Sequence, residues 1–302
     1  MIYSYLEGRL GNILFEIAAG ASLAKKMNVP FKALTCYSID MPEYIKPFRQ
    51  SILRNIDFSD IYPKNQRIYQ EPDCAYQPLP EEKNLLLKGY FQSEKYFDEE
   101  LVKYLFEIDI ENETYIQKKY GHILQLNPVA IHVRRGDYLL LEYMHPVCRM
   151  SYFSKAMTYF EEGTPFLIIS DDIVWCKKHF KGDHFYFVDA ETPLTDLYLQ
   201  SMCTHNIISN STFSWWGAWL NPNPDKKVIY PDPWFGLLVR KKEEFDTKDL
   251  CPDSWISVPL GKFDYYFYGI RARCRYLLKR FVKKIIREIK QKCLKICQLF
   301  HY

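Results

Sequence analysis

Residues 129–138 run Val129-Ala130-Ile131-His132-Val133-Arg134-Arg135-Gly136-Asp137-Tyr138. The mainly apolar run directly after Pro128 predicts a short buried β-strand. The strand ends in two arginines, a glycine and an aspartate. Open α/β sheets bind ligands at the carboxyl ends of their strands, so this turn is a candidate ligand site. Adjacent guanidinium groups suit phosphate oxygens better than lysines do, although a solvated turn with Asp137 paired to an arginine is an alternative.

Strands and helices alternate on both sides of this stretch. Upstream, a strand over residues 2–6, a glycine turn and a helix over 13–26 resemble the start of a Rossmann unit, and the helix N-terminus favours an anion. The turn lacks the GxGxxG spacing, so a nicotinamide cofactor is not indicated. Downstream, strands and helices alternate over residues 129–235 and predict a parallel sheet covered on both faces. Residues 28–80 have little pattern and predict loops and short elements that shape an acceptor pocket.

Composition limits the class of protein. The chain has 302 residues, of which 48% are hydrophobic, 25% charged and 17% aromatic, so it is long enough for two cores. It has nine cysteines, an odd number with no CxxC pair, which favours free thiols over a disulfide framework or a zinc ribbon. We find no secretory signal in residues 1–9 and no apolar run of about 18 residues that would span a membrane. We therefore expect a cytoplasmic protein.

The charge is unevenly distributed. Residues 270–302 contain eleven lysines and arginines and one acid, Glu288, whereas the remainder has 29 basic and 36 acidic residues. Apolar residues recur at helical spacing in this tail at Leu278, Val282, Ile285, Ile289 and Ile296. The tail therefore predicts an amphipathic helix that contacts an anionic membrane surface, at the inner face of the membrane. A helix packed on the body or on a second copy is the alternative. The acidic body does not favour nucleic acid as a partner.

Two further polar segments follow predicted strands. Ser170-Asp171-Asp172 is either ordinary helix capping or a carboxylate site for the N1 and N2 edge of guanine, and adjacent acids are a weak metal signal. The second segment can offer hydroxyl and backbone N–H donors to a diphosphate at a helix start. We expect two of its three tryptophans to pack the helix and leave open whether the third stacks on a ligand. Its sequence is Ser209-Asn210-Ser211-Thr212-Phe213-Ser214-Trp215-Trp216-Gly217-Ala218-Trp219-Leu220-Asn221.

Five motifs between about residues 5 and 235 belong together. They are Gly8-Arg9-Leu10-Gly11-Asn12, Gly89-Tyr90-Phe91-Gln92-Ser93-Glu94-Lys95-Tyr96-Phe97, His132 to Tyr138, Ser170 to Asp172 and Ser209 to Asn221. In this order they resemble the motifs of the α-1,2-fucosyltransferase family, family 11 of the glycosyltransferases. One departure is Ile13, where the family usually has glutamine.

The resemblance implies an α/β fold of the GT-B type, with two Rossmann-like domains and a cleft between them. It implies GDP-β-L-fucose as the donor, inversion at the anomeric carbon, the 2-hydroxyl group of a terminal galactoside as the acceptor, and no metal or other cofactor. With the boundary at Asn127-Pro128, we predict an acceptor-side domain at 1–127, a donor-binding domain at 128–262 and the helical tail at 263–302.

The resemblance also assigns roles to residues. Arg134 and Arg135 stabilise the charge of the leaving diphosphate. The general base is unassigned: Asp137 and Glu7 are the nearest carboxylates, and we favour Asp137 as the partner of an arginine. The predicted donor-binding residues come from both domains, with His132 and one of the two aspartates recognising guanine: Gly11, Asn12, His132, Asp171, Asp172, Asn210, Ser211, Thr212, Phe213 and Ser214.

Three alternatives stay open at this point. The first is a fucosyltransferase of another linkage, such as α-1,6. The second is a non-catalytic carbohydrate-binding protein, which would not need the arginine pair. The third is a membrane-associated interaction protein that acts through its tail.

Overall fold

Two parallel β-sheets form the body of the protein. The structure is a computed structural model that describes residues 1–36, 40–236 and 246–299, with side chains to residue 290. The first sheet has the strand order β3-β2-β1-β5-β4 and every pair in it is parallel. Its strands are β1 (Ile2–Tyr5), β2 (Phe31–Leu34), β3 (Phe58–Ser59), β4 (Arg67–Gln70) and β5 (Leu85–Lys88).

The second sheet, also parallel, has the order β11-β10-β9-β6-β7-β8. This is the strand order of the doubly wound dinucleotide-binding fold, whose switch point lies here between β6 and β9. The predicted alternation over residues 129–235 is confirmed. The strands are β6 (Val129–Val133), β7 (Phe166–Ser170), β8 (Phe185–Phe187), β9 (His205–Ile207), β10 (Val228–Asp232) and β11 (Ile256–Pro259).

Helices connect the strands and cover the sheets. All five residues of β6 are buried, as expected for a central parallel strand with helices on both faces. Short 3₁₀ segments lie at Lys46–Phe48, Glu94–Tyr96 and Asp137–Leu139. The helices of the body are α1 (Leu10–Met27), α2 (Met41–Ile45), α3 (Glu99–Leu105), α4 (Ile110–Leu124), α5 (Met150–Met157), α6 (Ile173–His179), α7 (Pro193–Met202) and α8 (Thr212–Trp219).

The two lobes meet where the N-termini of α1 and α8 pack together. A Cβ atom on Gly11 would lie only 2.5 Å from the backbone nitrogen of Phe213, so this approach requires glycine. Phe15 of α1 packs its ring against Trp215 and Trp216 of α8, with ring centroids 4.5 and 4.8 Å apart. The Trp216 indole N–H donates to the carbonyl of Gly11 at 2.9 Å. This interface holds the two strand-end edges against one another.

The short elements expected among the loops of residues 28–80 include three strands that the sequence did not identify as such. Three of the five strands of the first sheet, β2, β3 and β4, lie in this range. They are two to four residues long, and β4 is largely exposed, so they lack the apolar alternation that identifies a strand. Strand β11 was also missed.

The tail forms a single long helix, α9 (Gly269–Leu299), after a π-helical turn at Asp264–Tyr268. The predicted C-terminal helix is therefore confirmed. The predicted positions Lys292, Lys295 and Ile296 lie outside the side chains that the structure describes. None of the helices in the described ranges combines the length and the apolar character needed to cross a bilayer.

Candidate active site

A cavity of about 860 Å³ lies between the two lobes. Its walls follow the carboxyl ends of strands from both sheets, where doubly wound folds bind ligands. The volume lies within the range of small-molecule and cofactor sites. The first lobe contributes Gly8, Arg9, Leu10, Gly11, Asn12, Tyr44, Glu71, Cys74, Tyr90 and Gln92. The second lobe contributes His132, Arg134, Asp137, Tyr138, Met144, His145, Ser170, Asp171, Val188, Ala190, Glu191, Pro193, Asp196, Asn210, Ser211, Thr212, Phe213, Trp234 and Phe235.

Ser209 joins the two strand ends at the switch point. Its hydroxyl donates to the carbonyl of His132 at 2.7 Å and accepts from the backbone N–H of Arg134 at 3.1 Å. The side chain is fully buried. This fixes the start of the arginine turn relative to the start of α8, so the two polar segments face one cavity.

Arg134 lines the cavity and is held by two carboxylates. Its Nη2 atom lies 2.7 Å from Asp137 Oδ1, and its Nη1 atom lies 2.9 Å from Asp171 Oδ2. A guanidinium has five N–H donors, so these two contacts orient its plane and leave donors for a ligand. The Arg134 side chain is 33% exposed, so its guanidinium can contact a ligand in the cavity.

Arg135 is placed differently from its neighbour. Its side chain is only 9% exposed, and it is not among the residues that line the cavity. The guanidinium bonds Asp172 Oδ2 through Nε at 3.0 Å and lies over the Trp175 ring at 4.0 Å. The backbone N–H of Arg135 donates to Asp171 Oδ1 at 2.8 Å. These contacts brace the turn that presents Arg134.

The two aspartates differ in the same way. Asp171 lines the cavity with a carboxylate that Arg134 already engages. Asp172 caps α6 by accepting from the N–H of Trp175 at 3.1 Å, and its other oxygen pairs with Arg135. The capping alternative therefore describes Asp172, which does not line the cavity.

His132 offers an unpaired nitrogen at the cavity wall. The side chain is 5% exposed, and its Nδ1 atom has no hydrogen-bond partner in the described structure. Burial, reinforced by the Arg134 charge, lowers the pKa of His132 to about 3. The imidazole is therefore neutral at physiological pH. It tilts against Phe213, with ring centroids 5.6 Å apart.

The N-terminus of α8 opens onto the cavity. Its N-cap residue, Ser211, makes no side-chain capping bond. The first backbone N–H groups of a helix have no intrahelical partner, so this end favours an anion. The Thr212 hydroxyl donates to Asn12 Oδ1 at 2.9 Å, and Gln92 donates to the same oxygen at 3.1 Å. Asn12 thus ties three of the sequence motifs together across the cleft.

Other residues of this segment serve the fold. The Ser214 hydroxyl is fully buried and donates to the carbonyls of Ser209 and Ser211, so it does not line the cavity. Asn210 does both: it lines the cavity, and its amide donates to the carbonyl of Trp234 at 2.9 Å. All three tryptophans of α8 are buried and none lines the cavity, so no ligand stacking by them is supported. The side chain of Ile13 is buried in the core and is apolar.

Three cavity carboxylates were missed by the sequence reasoning. Glu71 follows β4 and accepts from the backbone N–H groups of Tyr90 and Phe91 at 2.7 and 3.0 Å. Burial raises the pKa of Glu71. Asp196, in the first turn of α7, has its pKa raised to about 7, by burial first and then by the Glu191 charge. Glu191 is held by Lys119 and by Tyr120.

These carboxylates differ in their cationic partners. No lysine or arginine within the described ranges forms a salt bridge with Glu71 or Asp196, whereas Asp137, Asp171 and Glu191 each have one. The proposed base candidate Glu7 is exposed and does not line the cavity. No sequence pattern identified Glu71 or Asp196 as a site residue. Neither belongs to a charged motif, and the two residues lie in different walls of the cavity. No cluster of three metal-ligating side chains occurs in the parts of the chain that the structure describes.

Comparison with known proteins identifies the family. A sequence model of glycosyl transferase family 11 matches residues 4–247, so the chain belongs to this family, as the motifs predicted. An alpha-1,2-colitosyltransferase of Escherichia coli is 34% identical over 185 residues, which cover 56% of this chain and 61% of that protein. An O-antigen biosynthesis glycosyltransferase, WbnK of Escherichia coli, is 29% identical over 85% of this chain and 100% of its own length.

More distant proteins share part of the sequence or the fold. A galactoside alpha-(1,2)-fucosyltransferase 1 of Saimiri boliviensis boliviensis is 33% identical over 103 residues, 30% of this chain and 28% of that protein. Among solved structures, the NodZ alpha-1,6-fucosyltransferase soaked with GDP-fucose has a TM-score of 0.50 at 14% identity, covering 77% of this chain and 94% of that one. The expected GT-B-like α/β fold is confirmed.

Proposed function

We propose that this glycosyltransferase moves L-fucose from GDP-β-L-fucose to the 2-hydroxyl group of a terminal galactoside, with inversion at the anomeric carbon. The observation that carries the proposal is the single cavity in which Arg134 and the N-terminus of α8 face the glycine turn of the first lobe. The relatives named for α-1,2 transfer of fucose or colitose support the linkage.

The donor diphosphate fits the cationic part of the cavity. The free N–H groups at the start of α8 and the remaining Arg134 donors are groups that bind phosphate oxygens. Arg9 lines the cavity from the first lobe, at the N-terminus of α1, and lies 5.1 Å from the Tyr44 ring centroid. Two helix N-termini and two arginines thus offset the charge of the diphosphate from both lobes.

The guanine fits the wall of the second lobe that begins at β8. Val188, Ala190 and Pro193 supply apolar surface there, and the Asp196 carboxyl lies among them. An ionised carboxylate accepts from the N1 and N2 donors of guanine, and Asp196 has no competing cation. We assign this role to Asp196 rather than to Asp171 or Asp172, which are held by arginines. The neutral imidazole of His132 lines the cavity from the same lobe.

The chemical step is a single displacement. The acceptor oxygen forms its bond to the anomeric carbon as the bond from that carbon to the diphosphate oxygen breaks, and the electron pair leaves with GDP. Arg134 stabilises the charge that develops on the diphosphate, while Asp137 and Asp171 keep its guanidinium in place. Arg135 positions the turn and does not contact the donor. This stabilisation by arginines and helix ends requires no metal ion.

Glu71 is our candidate for the general base. It lies in the first lobe, facing the donor residues across the cavity, and it is free of salt bridges within the described ranges. Burial raises the pKa of this carboxyl, which makes it a better acceptor for the proton of the acceptor hydroxyl. Asp137 is instead engaged with Arg134 at 2.7 Å.

Two other activities have specific support. The colitosyltransferase relative favours GDP-colitose, whose sugar is fucose without its 3-hydroxyl group. The fold likeness to an α-1,6-fucosyltransferase keeps that linkage as an alternative. A non-catalytic carbohydrate-binding protein would need neither the turn that contains Arg134 and Arg135 nor the anion-binding N-terminus of α8.

The test is release of GDP from GDP-fucose, with and without lactose and in the presence of EDTA. Lactose-dependent release that persists in EDTA is the expected result. Faster release from GDP-colitose would reassign the donor. Binding of GDP-fucose without turnover on any galactoside would reject the proposed acceptor, and a folded protein that binds neither donor would reject the proposal.

A further inference from the structure

Helix α9 carries an apolar face that the body of the protein leaves uncovered. At about 100° per residue, its apolar and basic side chains divide the helix surface into two halves. Every side chain from Cys274 to Lys290 is exposed, including Leu278 at 64% and Phe281 at 61%. The apolar half consists of Leu277, Leu278, Phe281, Val282, Ile285, Ile286 and Ile289.

The opposite half of α9 is basic. Glu288 is the one acidic residue between 270 and 290, and its carboxylate lies 4.0 Å from Lys284 Nζ. The sequence before residue 270 has a net charge of −7, with 29 basic and 36 acidic residues, so the excess of positive charge lies in the tail. The basic half consists of Lys279, Arg280, Lys283, Lys284, Arg287 and Lys290.

The base of α9 is anchored beside the cavity. The Arg149 guanidinium lies 3.5 Å from the Tyr268 ring centroid, and Tyr143 packs against Tyr276 with ring centroids 4.7 Å apart. Tyr143 immediately precedes Met144 and His145, which line the cavity. The helix therefore projects from the rim of the cavity.

A second copy of this chain is a poor occupant for the apolar face. Two α9 helices packed through their apolar halves would bring the lysines and arginines that flank those halves together. Glu288 is the one acidic residue between residues 270 and 290 of each helix that could offset their repulsion. Helix pairs of this kind use opposite charges at flanking positions, and like charges there disfavour association. A surface that is apolar inside and anionic outside satisfies both halves of α9.

We propose that α9 lies in the interface of a membrane rich in anionic lipids, with its apolar half toward the acyl chains and its basic half toward the headgroups. The rim of the cavity is thereby held next to the membrane. The proposal concerns binding alone and does not depend on the proposed transferase activity.

The test is sedimentation of the full-length chain with vesicles of phosphatidylcholine, with or without phosphatidylglycerol. We expect binding only to the anionic vesicles, weakened by salt. Phe281→Asp with Ile285→Asp should lower the partition coefficient by at least about 30-fold, because it places charge in the apolar half. Lys283→Gln with Arg287→Gln should lower it by about 30-fold.

A matched control separates the helix from exposed apolar residues in general. Ile110 is 82% exposed at the start of α4, so Ile110→Asp makes the same chemical change elsewhere and should leave binding unchanged. Circular dichroism checks that each variant remains folded. Equal binding to neutral and anionic vesicles, or no binding to either, would overturn the proposal. So would a dimer in sedimentation equilibrium that Phe281→Asp abolishes, or binding to RNA but not to vesicles.

Discussion

Arg134 and Arg135 are adjacent in sequence but should fail in different ways when replaced by lysine. Arg134 bridges Asp137 and Asp171 with two nitrogen atoms at 2.7 and 2.9 Å, and it faces the cavity. A lysine has a single nitrogen and cannot reproduce this geometry. We expect Arg134→Lys to lower kcat/KM by about 10²–10³, the usual loss when one preorganised charge-stabilising donor is removed.

The stability of the Arg134 variant should change little. Its ion pairs are partly exposed, at 33% for the arginine and 55% for Asp137, and exposed pairs contribute about 0–1 kcal/mol. Arg135 is 9% exposed, pairs with a 30% exposed Asp172, and stacks on Trp175. Arg135→Lys should therefore lower the free energy of unfolding by about 2 kcal/mol, less than a fully buried pair would lose.

Two measurements are made on each variant. Urea unfolding gives the free energy of unfolding, and initial rates of GDP release are measured under conditions where both variants are folded. The account predicts a large rate loss with little stability loss for Arg134→Lys, and the reverse pattern for Arg135→Lys. If Arg135→Lys lost more activity than Arg134→Lys at unchanged stability, our division of roles between the two arginines would be refuted.

Three other sites give independent predictions. Glu71→Gln should lower kcat by about 10²–10⁴ with the Kd for GDP unchanged in calorimetry, and a normal kcat would eliminate it as the base. Burial raises the pKa of Asp196 to about 7, so its carboxylate form gains population as pH rises through that value. The KM for the donor should fall over this range, and Asp196→Asn should abolish the dependence; a persisting dependence would assign it to another group. A Cβ on Gly11 would meet the Phe213 nitrogen at 2.5 Å, so Gly11→Ala should lower the free energy of unfolding by about 1–3 kcal/mol in urea titrations. In contrast, Gly121→Ala in α4 should not destabilise the protein, and equal effects would contradict the steric argument.

Sequence reasoning succeeded where one residue type determines local structure. The apolar run of β6, the glycine turn before α1 and the polar start of α8 each combine a strand or helix signal with groups that favour anions. The resemblance to family 11 implied that the glycine turn faces the other two segments across a cleft, and all three line the cavity between the lobes. Sequence reasoning also anticipated that Asp137 would pair with an arginine.

The sequence could not show which of Arg134 and Arg135 faces the cavity. Side chains of consecutive residues point in different directions once the strand ends, and the sequence does not indicate which direction leads to the cavity. It did not identify β2, β3 and β4 as strands, because runs of two to four residues are too short to show apolar alternation. Glu71 and Asp196 became candidates only when the fold brought distant walls together and burial raised the pKa of each carboxyl.

The most direct test of the account is the product itself. The protein is incubated with GDP-β-L-fucose and lactose, and the first trisaccharide formed is analysed by NMR. We expect an α-L-fucosyl group on the 2-hydroxyl of galactose, which requires inversion of the donor and α-1,2 transfer. A β-fucosyl product, or fucose on another hydroxyl group, would contradict it.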